Sequence, residues 1–338
     1  MHKHQATIKE IAQALAVSIS TVSRALQNDP RIGIRTRMRV KDLAEKLHYV
    51  PNLAAKLLRK HRTYTIGVVL PQLQEEFFSM AITGIEDALA DTGYSVIIAQ
   101  SRDKFLREEK VLRSFLSTRV DGVIASISAE TVDYHHFSEL NEFGIPIIFF
   151  DRVPKNFPAH KVRSNVEEGV GLVMDYLTGK GFTQIALLNG PSSLEISQER
   201  LSGYVDALKK SGTPIDECLI KFTDFTKEDV AVKMEELCFG NGGHPQAILA
   251  FNDYVALHAM KWCQQHGLKP NVDILFVSFA NLPITNYLEN PPAASIEQFA
   301  YKMGLNAAQI LLEVLQHTGP EKMEYREVVL PTRLVVHF

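Results

Sequence analysis

Apolar residues between Thr7 and Leu26 recur at helical spacing twice in succession. Ile8, Ile11, Ala12 and Leu15 fall on one face of a first short helix, and Val22, Ala25 and Leu26 on one face of a second. Val17 lies in the tight turn between them, and Ser18 is placed as the N-cap of the second helix. Ile19, Ser20, Thr21 and Arg24 are left facing outward. An ordinary helical hairpin would show the same apolar stripes. A helix-turn-helix also needs short polar side chains and an arginine on the open face of its second helix, to reach base edges in the major groove. Asn28-Asp29-Pro30 breaks the pattern, and Val40, Leu43, Ala44 and Leu47 predict a third helix over about 35–47. The short helical stretch 53–60 is below the length of a helix stable alone in water, about 12–15 residues.

Beyond residue 64 the pattern changes to apolar runs of strand length alternating with amphipathic helices. Strands are predicted at 65–70, 94–100, 122–126, 146–150, 184–189, 247–251 and 274–278. Helices are predicted between them, for example at 78–91, 107–118, 167–180, 200–211 and 253–266. Val- and Ile-rich strands separated by helices argue for parallel sheets covered on both faces. About 275 residues of this kind are more than one core holds, which predicts two doubly wound α/β lobes. Ligands in such folds sit outside the carboxyl ends of the strands, so the loops after the strands are the places to look for chemistry.

Charge sharpens the reading of the N-terminal part. Residues 1–62 hold 13 Lys+Arg against 4 Asp+Glu, a balance of +9, although the whole chain has 36 against 39. Residues 63–338 are therefore left with 23 against 35, or −12. A basic head coinciding with helix-turn-helix patterning is most simply explained by neutralisation of DNA phosphates.

No apolar run reaches transmembrane length, and the first residues, M-H-K-H-Q-A-T, lack an apolar signal region. A cytoplasmic protein without membrane contact is expected. Cys218, Cys238 and Cys263 have no C-x-x-C spacing and read as reduced residues rather than a disulfide framework or a zinc site. Phosphate-loop, nucleophile-elbow and H-E-x-x-H motifs are missing, so the chain is not expected to be an enzyme, and no cofactor or metal is implied.

The motifs resemble those of the LacI/GalR family of bacterial transcription regulators, along essentially the whole chain. The head carries T-I-K-E-I-A from Thr7, V-S-I-S-T-V-S-R-A-L from Val17 and Y-V-P-N-L-A-A-K-L-L from Tyr49. The body carries T-I-G-V-V-L-P from Thr65, R-V-D-G-V-I from Arg119, I-P-I-I-F-F-D-R from Ile145, Q-E-R-L-S-G-Y from Gln198 and A-I-L-A-F-N-D from Ala247. The resemblance implies a helix-turn-helix DNA-binding head (1–50), a hinge helix and linker (51–62) and a two-lobed effector and dimerisation domain (63–338) similar to periplasmic sugar-binding proteins. The lobes would comprise about 63–163 with 294–325, and 164–293 with 326–338, joined by crossovers near 163, 293 and 325. It further implies a homodimeric repressor on a pseudo-palindromic operator, modulated by a small-molecule effector that is a carbohydrate or a derivative of one.

By family position, Ile19, Ser20 and Arg24 lie where the recognition helix meets base edges, and Thr7, Ser18, Thr21 and Asn28 where phosphates are held. Leu58 matches the hinge leucine that wedges into the minor groove. Ala55 suits close approach of two hinge helices, Lys56 replaces a more usual arginine, and Asn52 completes the set of DNA-facing candidates. Two departures bear on stability. Ala16 stands where the family often has glycine in the turn, and Gly33 where a serine often caps the third helix.

For the effector, the candidates after strand ends or at family positions are Phe78, Ser126, Asp151, Arg152, Ser164, Arg200, Phe225, Asn252, Asp253, Asn281 and Gln298. The family often places a carboxylate where this chain reads S-F-A-N, so Ala280 offers no acceptor and only Asn281 remains. Ser164-Asn165 likewise stands where a paired Asp and Asn are usual. A pocket short of two carboxylates leads to an expectation of an unusual or larger carbohydrate, or a derivative whose anionic group meets Arg152 and Arg200. The alternative is a constitutive DNA-binding regulator whose pocket has lost sensing. A periplasmic sugar carrier is disfavoured by the basic head.

Overall fold

A computed structural model of the protein describes residues 6–47, 49, 62–240, 243–318 and 323–338. The chain divides into two compact units, Met1–Thr63 and Tyr64–Phe338.

The first unit is three helices, α1 (Ile8–Leu15), α2 (Ile19–Leu26) and α3 (Ile34–Lys46), around a small core of Ile11, Ala12, Val22, Ala25, Val40 and Ala44. Thr7 and Glu10 form a capping box at the start of α1. The Thr7 hydroxyl accepts from the Glu10 amide at 3.3 Å and the Glu10 carboxylate from the Thr7 amide at 2.6 Å. Ser18 caps α2, its hydroxyl accepting from the Thr21 amide at 3.1 Å. The α1–α2 turn places Ala16 at φ 52 and ψ 43, in the left-handed region where a side chain is disfavoured. Gly33 occupies the cap of α3 with no side-chain hydrogen bond. Leu47, placed by periodicity on the buried face, is 40 % exposed just after the last turn of α3.

The second unit alternates strand and helix. Its strands are β1 (Thr65–Leu70), β2 (Ser95–Gln100), β3 (Gly122–Ala125), β4 (Ile147–Phe150), β5 (His160–Ser164), β6 (Ile185–Asn189), β7 (Ile220–Phe222), β8 (Ala247–Ala250), β9 (Leu275–Phe279), β10 (Ala294–Glu297), β11 (Glu327–Leu330) and β12 (Arg333–Val336). The helices are α4 (Glu76–Leu89), α5 (Phe105–Thr118), α6 (His135–Glu142), α7 (Val166–Gly179), α8 (Glu195–Ser211), α9 (Lys227–Phe239), α10 (Asp253–Gln265) and α11 (Ala300–Gln316). The strands form two six-stranded sheets, ordered β11-β5-β4-β3-β1-β2 and β12-β10-β9-β8-β6-β7. Every pairing is parallel except β10 with β12. Central strands such as β3, β4, β6 and β8 are buried along their whole length, as expected when helices cover both faces.

The chain crosses between the sheets three times, after β5, after β10 and after β11. Two of these crossovers differ from the expected positions near 293 and 325. β10 extends the second sheet, with Ala294 opposite Val277, and β11 extends the first, with Glu327 opposite Lys161. Residues 294–297 therefore belong with the second lobe and 327–330 with the first. Both strands are four residues long, and β11 alternates exposed and half-buried positions, so neither carries an apolar run to mark its sheet. The crossovers are tied together. Gln298 donates from Nε2 to the Ser164 hydroxyl at 2.9 Å, and the Thr332 hydroxyl donates to the Asn165 carbonyl at 3.3 Å.

Candidate functional site

The head presents one open face on α2. Ile19 is 45 % exposed, and Ser20 and Arg24 are exposed, whereas Val22 and Ala25 on the opposite side are buried. The Ser18 hydroxyl lies 2.7 Å from that of Ser20 and 2.8 Å from that of Thr21, so the start of the helix shows a linked row of three hydroxyls. Such a row and an arginine can hydrogen-bond bases or phosphates, and Ile19 offers an apolar contact such as a thymine methyl requires. Thr7 is engaged in the capping box. Asn28 has a positive φ of 58, and its carbonyl accepts from Arg37 Nη1 at 3.3 Å. Asn52, Ala55, Lys56 and Leu58 lie outside the described residues.

In the body a cavity opens between the two sheets. About 390 Å³ of space not filled by atoms lies in it, the open solvent at its mouth included. From the first lobe it is lined by Glu75, Phe77 and Phe78 at the start of α4, and by Asp151 and Arg152 just after β4. The second lobe contributes Ile196 and Arg200 from α8, Phe251 and Asn252 after β8, and Ala280 and Leu282 after β9, with Gln298 at a crossover. Most of these follow the carboxyl ends of strands, as the topology dictates.

Of the residues expected there, Phe78, Asp151, Arg152, Arg200, Asn252 and Gln298 line the cavity. Five others stand behind its wall. Ser126 is buried and holds the Asp151 carboxyl. Ser164 accepts from Gln298, and Asn281 donates to Glu297 at 2.9 Å. Phe225 packs against Phe251, with ring centroids 4.8 Å apart, and carries the Arg152 guanidinium 5.3 Å from its own centroid. Asp253, fully buried, accepts from the Leu282 amide at 2.6 Å and from the Ser278 and Ser295 hydroxyls. Asp253 is thus a brace for the loop in which Ala280 and Asn281 take positive φ of 98 and 49.

Glu75, Phe77, Ile196, Phe251 and Leu282 were not anticipated in the cavity. Glu75 and Phe77 adjoin Phe78 at the start of α4, and Ile196 precedes Arg200 by one helical turn, which were usable signals. Asp103 was also missed, since only the folded chain brings it to Arg152, where its carboxylate meets Nη1 at 2.5 Å.

Ala280 lines the wall without an acceptor, and Glu75 adds a second carboxyl to the Asp151 expected there. Burial raises the Glu75 carboxyl to about 7, against the pull of Arg152 and with help from Asp103 and Asp151. Burial likewise raises Asp151 to about 6, although Arg152, Arg200 and Ser126 oppose it. Arg200 is only 2 % exposed, and burial lowers it to about 9. Its guanidinium sits between the rings of Phe251 and Phe279, 3.9 and 4.3 Å from their centroids. Its Nε and Nη1 have no hydrogen-bond partner. Arg152, expected alongside it as an anion-binding group, is instead neutralised by Asp103.

A three-helix head with an open recognition face and a two-lobed body with a polar, aromatic-walled cleft define a DNA-binding regulator with a ligand-sensing domain. Residues 7–52 match the family described as bacterial regulatory proteins of the lacI type, and residues 63–336 match periplasmic binding proteins and the sugar-binding domain of that family. The chain belongs to the LacI family. It is 31 % identical to the HTH-type transcriptional repressor PurR of Vibrio parahaemolyticus, covering 94 % of each chain, and 31 % identical to the ribose operon repressor of Bacillus subtilis, covering 92 % of each. These relatives are repressors, not enzymes. Among solved structures it is similar to a transcriptional regulator CelR–cellobiose complex, with TM-score 0.72, 26 % identity and coverage of 98 % of this chain and 99 % of that one. It shares the fold of the lac repressor dimer bound to operator, with TM-score 0.84, 24 % identity and 98 % coverage of both. No helix among the described residues is long and apolar enough to cross a membrane.

Proposed function

We propose that this protein is a cytoplasmic transcriptional repressor that binds a pseudo-palindromic operator as a homodimer, with operator affinity set by a small carbohydrate effector in the body cavity. The observation that carries the reading is one chain holding both a recognition helix with Ile19, Ser20 and Arg24 exposed and a cleft whose buried Arg200 has two open donors. A buried donor without a partner costs about 1–3 kcal/mol, so such a group argues for a ligand that completes it. Repression through an operator agrees with the names of the relatives, and a saccharide effector agrees with the cellobiose complex of the similar regulator. The effector would act by binding one arrangement of the two lobes better than another, and the resulting coupling to DNA would be reciprocal. Ile19, Ser20 and Arg24 would read bases, and Thr7, Ser18, Thr21 and Asn28 would hold phosphates. Asn52, Ala55, Lys56 and Leu58 would engage the minor groove between half-sites.

A constitutive regulator with a vestigial pocket is the second reading. It is disfavoured because an unused pocket has no reason to keep two carboxyls and an open arginine at such desolvation cost. Selection of operator duplexes from a random palindromic pool, followed by binding titrations with and without saccharides, tests the proposal. A repressor of this kind selects one palindrome and releases or tightens on it with one saccharide, whereas a constitutive protein selects the palindrome and ignores them all.

A further inference from the structure

Helix α8 of the second lobe carries two stripes side by side. Ile196 and Arg200, four residues apart, line the cavity, and Glu195 and Glu199, each one position earlier, form the adjoining stripe. That second stripe meets bases of the first lobe. Lys155, in the loop after β4, places Nζ 2.7 Å from Oε1 of Glu195. Arg163, in β5, lies 3.6 Å from Glu199 and also holds Glu327 of β11. Just before the helix, the Ser193 hydroxyl donates to the Ala129 carbonyl of the first lobe at 2.7 Å, and Ala129 packs against the apolar core of the second lobe. Along α8 the contacts are therefore stacked in order: Arg163 with Glu199, Lys155 with Glu195, and Ala129 with Ser193.

Arg163 is two residues from the crossover after β5, where the chain itself joins the lobes. The Lys155 and Ser193 contacts lie farther along α8, and parting of the lobes must break them. All of these contacts join protein to protein, so they act before a ligand arrives. Arg163 and Glu199 are 27 % and 23 % exposed, and that pair is screened less by salt than the pair formed by the largely exposed Lys155. A single exposed ion pair shifts an equilibrium by about one- to fivefold, so several on one helix bias the lobe angle measurably. We propose that Glu195 and Glu199 of α8, with Lys155 and Arg163 of the first lobe, form an ionic clasp that holds the two lobes closed, and that salt loosens it through Lys155. The clasp and a ligand at Arg200 act on the same turns of one helix, so the clasp sets how far closure is already established when the ligand arrives. The inference goes beyond the reading of the cavity as a carbohydrate site and does not depend on it.

The Ile284 amide reports on the clasp from another part of the cleft. It belongs to the second lobe and donates to the Glu76 carboxylate of the first at 3.1 Å, so its exchange with deuterium follows parting of the lobes. The test is hydrogen exchange of the full-length chain without added ligand. Lys155→Glu sets a third carboxylate against Glu195 and Glu199, and is expected to speed Ile284 exchange about threefold or more. Amides in the centre of each sheet, such as Ile124 and Leu249, should exchange as in the parent and so show that the fold is intact. The charge swap, Lys155→Glu with Glu195→Lys, should return Ile284 to within about twofold of the parent. About 1 M NaCl, which screens charges beyond about 3 Å, should speed Ile284 exchange in the parent and much less in Lys155→Gln. Should the sheet amides also quicken in Lys155→Glu, Lys155→Gln replaces it, with about a twofold acceleration at Ile284 expected. Ile284 exchange that ignores both single variants, or that the swap fails to restore, overturns the inference and leaves the proposed function standing.

Discussion

Ala16 and Glu75 are two side chains held where their chemistry is uncomfortable, and each yields a measurable consequence. Ala16 has the left-handed backbone of a turn that glycine adopts without strain. Ala16→Gly is expected to stabilise the head by about 1 kcal/mol, which slows amide exchange in α1 and α2 about fivefold in the intact chain. Unchanged exchange would show that the turn is not strained. Glu75 is pushed up to about 7, first by burial, with Arg152 opposing and Asp103 and Asp151 reinforcing. Its folded-state proton affinity is raised, so its contribution to stability is complete below the ordinary carboxyl range and is lost as pH rises through about 7. Melting temperature should therefore fall between about pH 5 and pH 8, and fall less in Glu75→Gln. A parent and variant with parallel profiles would place the titration elsewhere. On the head, Arg24 is exposed on the recognition face, and Arg24→Ala is expected to cost about 1–3 kcal/mol of operator affinity and to relax base preference at one position. A uniform loss across all sequences would reassign Arg24 to phosphate.

The helices and strands were readable to the extent that their own residues decide them. The predicted strand at 65–70 coincides with β1, and the long amphipathic stretches became α4, α5, α7, α8 and α10 with ends moved by a few residues. The α8 start moved most, because Glu195 to Glu199 extend the helix before the apolar period is evident. β5, β7, β10, β11 and β12 were not legible, since they are three to five residues long and owe their conformation to a neighbouring strand. The same division holds for the cavity. Arg200 and Asn252 were visible from the strand-then-loop pattern, whereas the pairing of Asp103 with Arg152 spans 49 residues and arises only on folding. Asp253 is expected at the ligand because a carboxylate after a strand looks alike whether it faces a cleft or braces a loop, and here it accepts from the loop and its neighbours. Its three donors predict that Asp253→Ala destabilises the body by about 2–4 kcal/mol. An unperturbed melting curve would remove it from that role. The α4–α11 contact makes a sharper demand. A Cβ on Gly304 would lie 1.9 Å from the Ala81 carbonyl oxygen, so the two backbones must separate in Gly304→Ala. A loss of about 3 kcal/mol or more is expected in denaturant unfolding.

The chain joins a basic head of +9 to a body of −12, and this asymmetry matches the division of labour proposed for it. The head's charge suits a polyanion and makes its binding steeply salt-dependent. The three crossovers join the two lobes and are tied by Gln298 to Ser164 and by Thr332 to Asn165. On the proposed reading, a ligand that meets Arg200 from one lobe and Glu75 from the other would favour one lobe angle and so turn occupancy of the cleft into a signal. Coupling of this kind is worth about 1–3 kcal/mol, or roughly 5–150-fold in DNA affinity. The decisive measurement is an anisotropy titration of the selected operator with the parent chain and with Arg200→Met, each with and without the saccharide that binds. Met fills the space between Phe251 and Phe279 without a donor. Both chains should bind the free operator equally well, and the saccharide should shift only the parent, by a factor in that range. An operator affinity that moves equally in both chains, or in neither, would contradict effector control through this cavity.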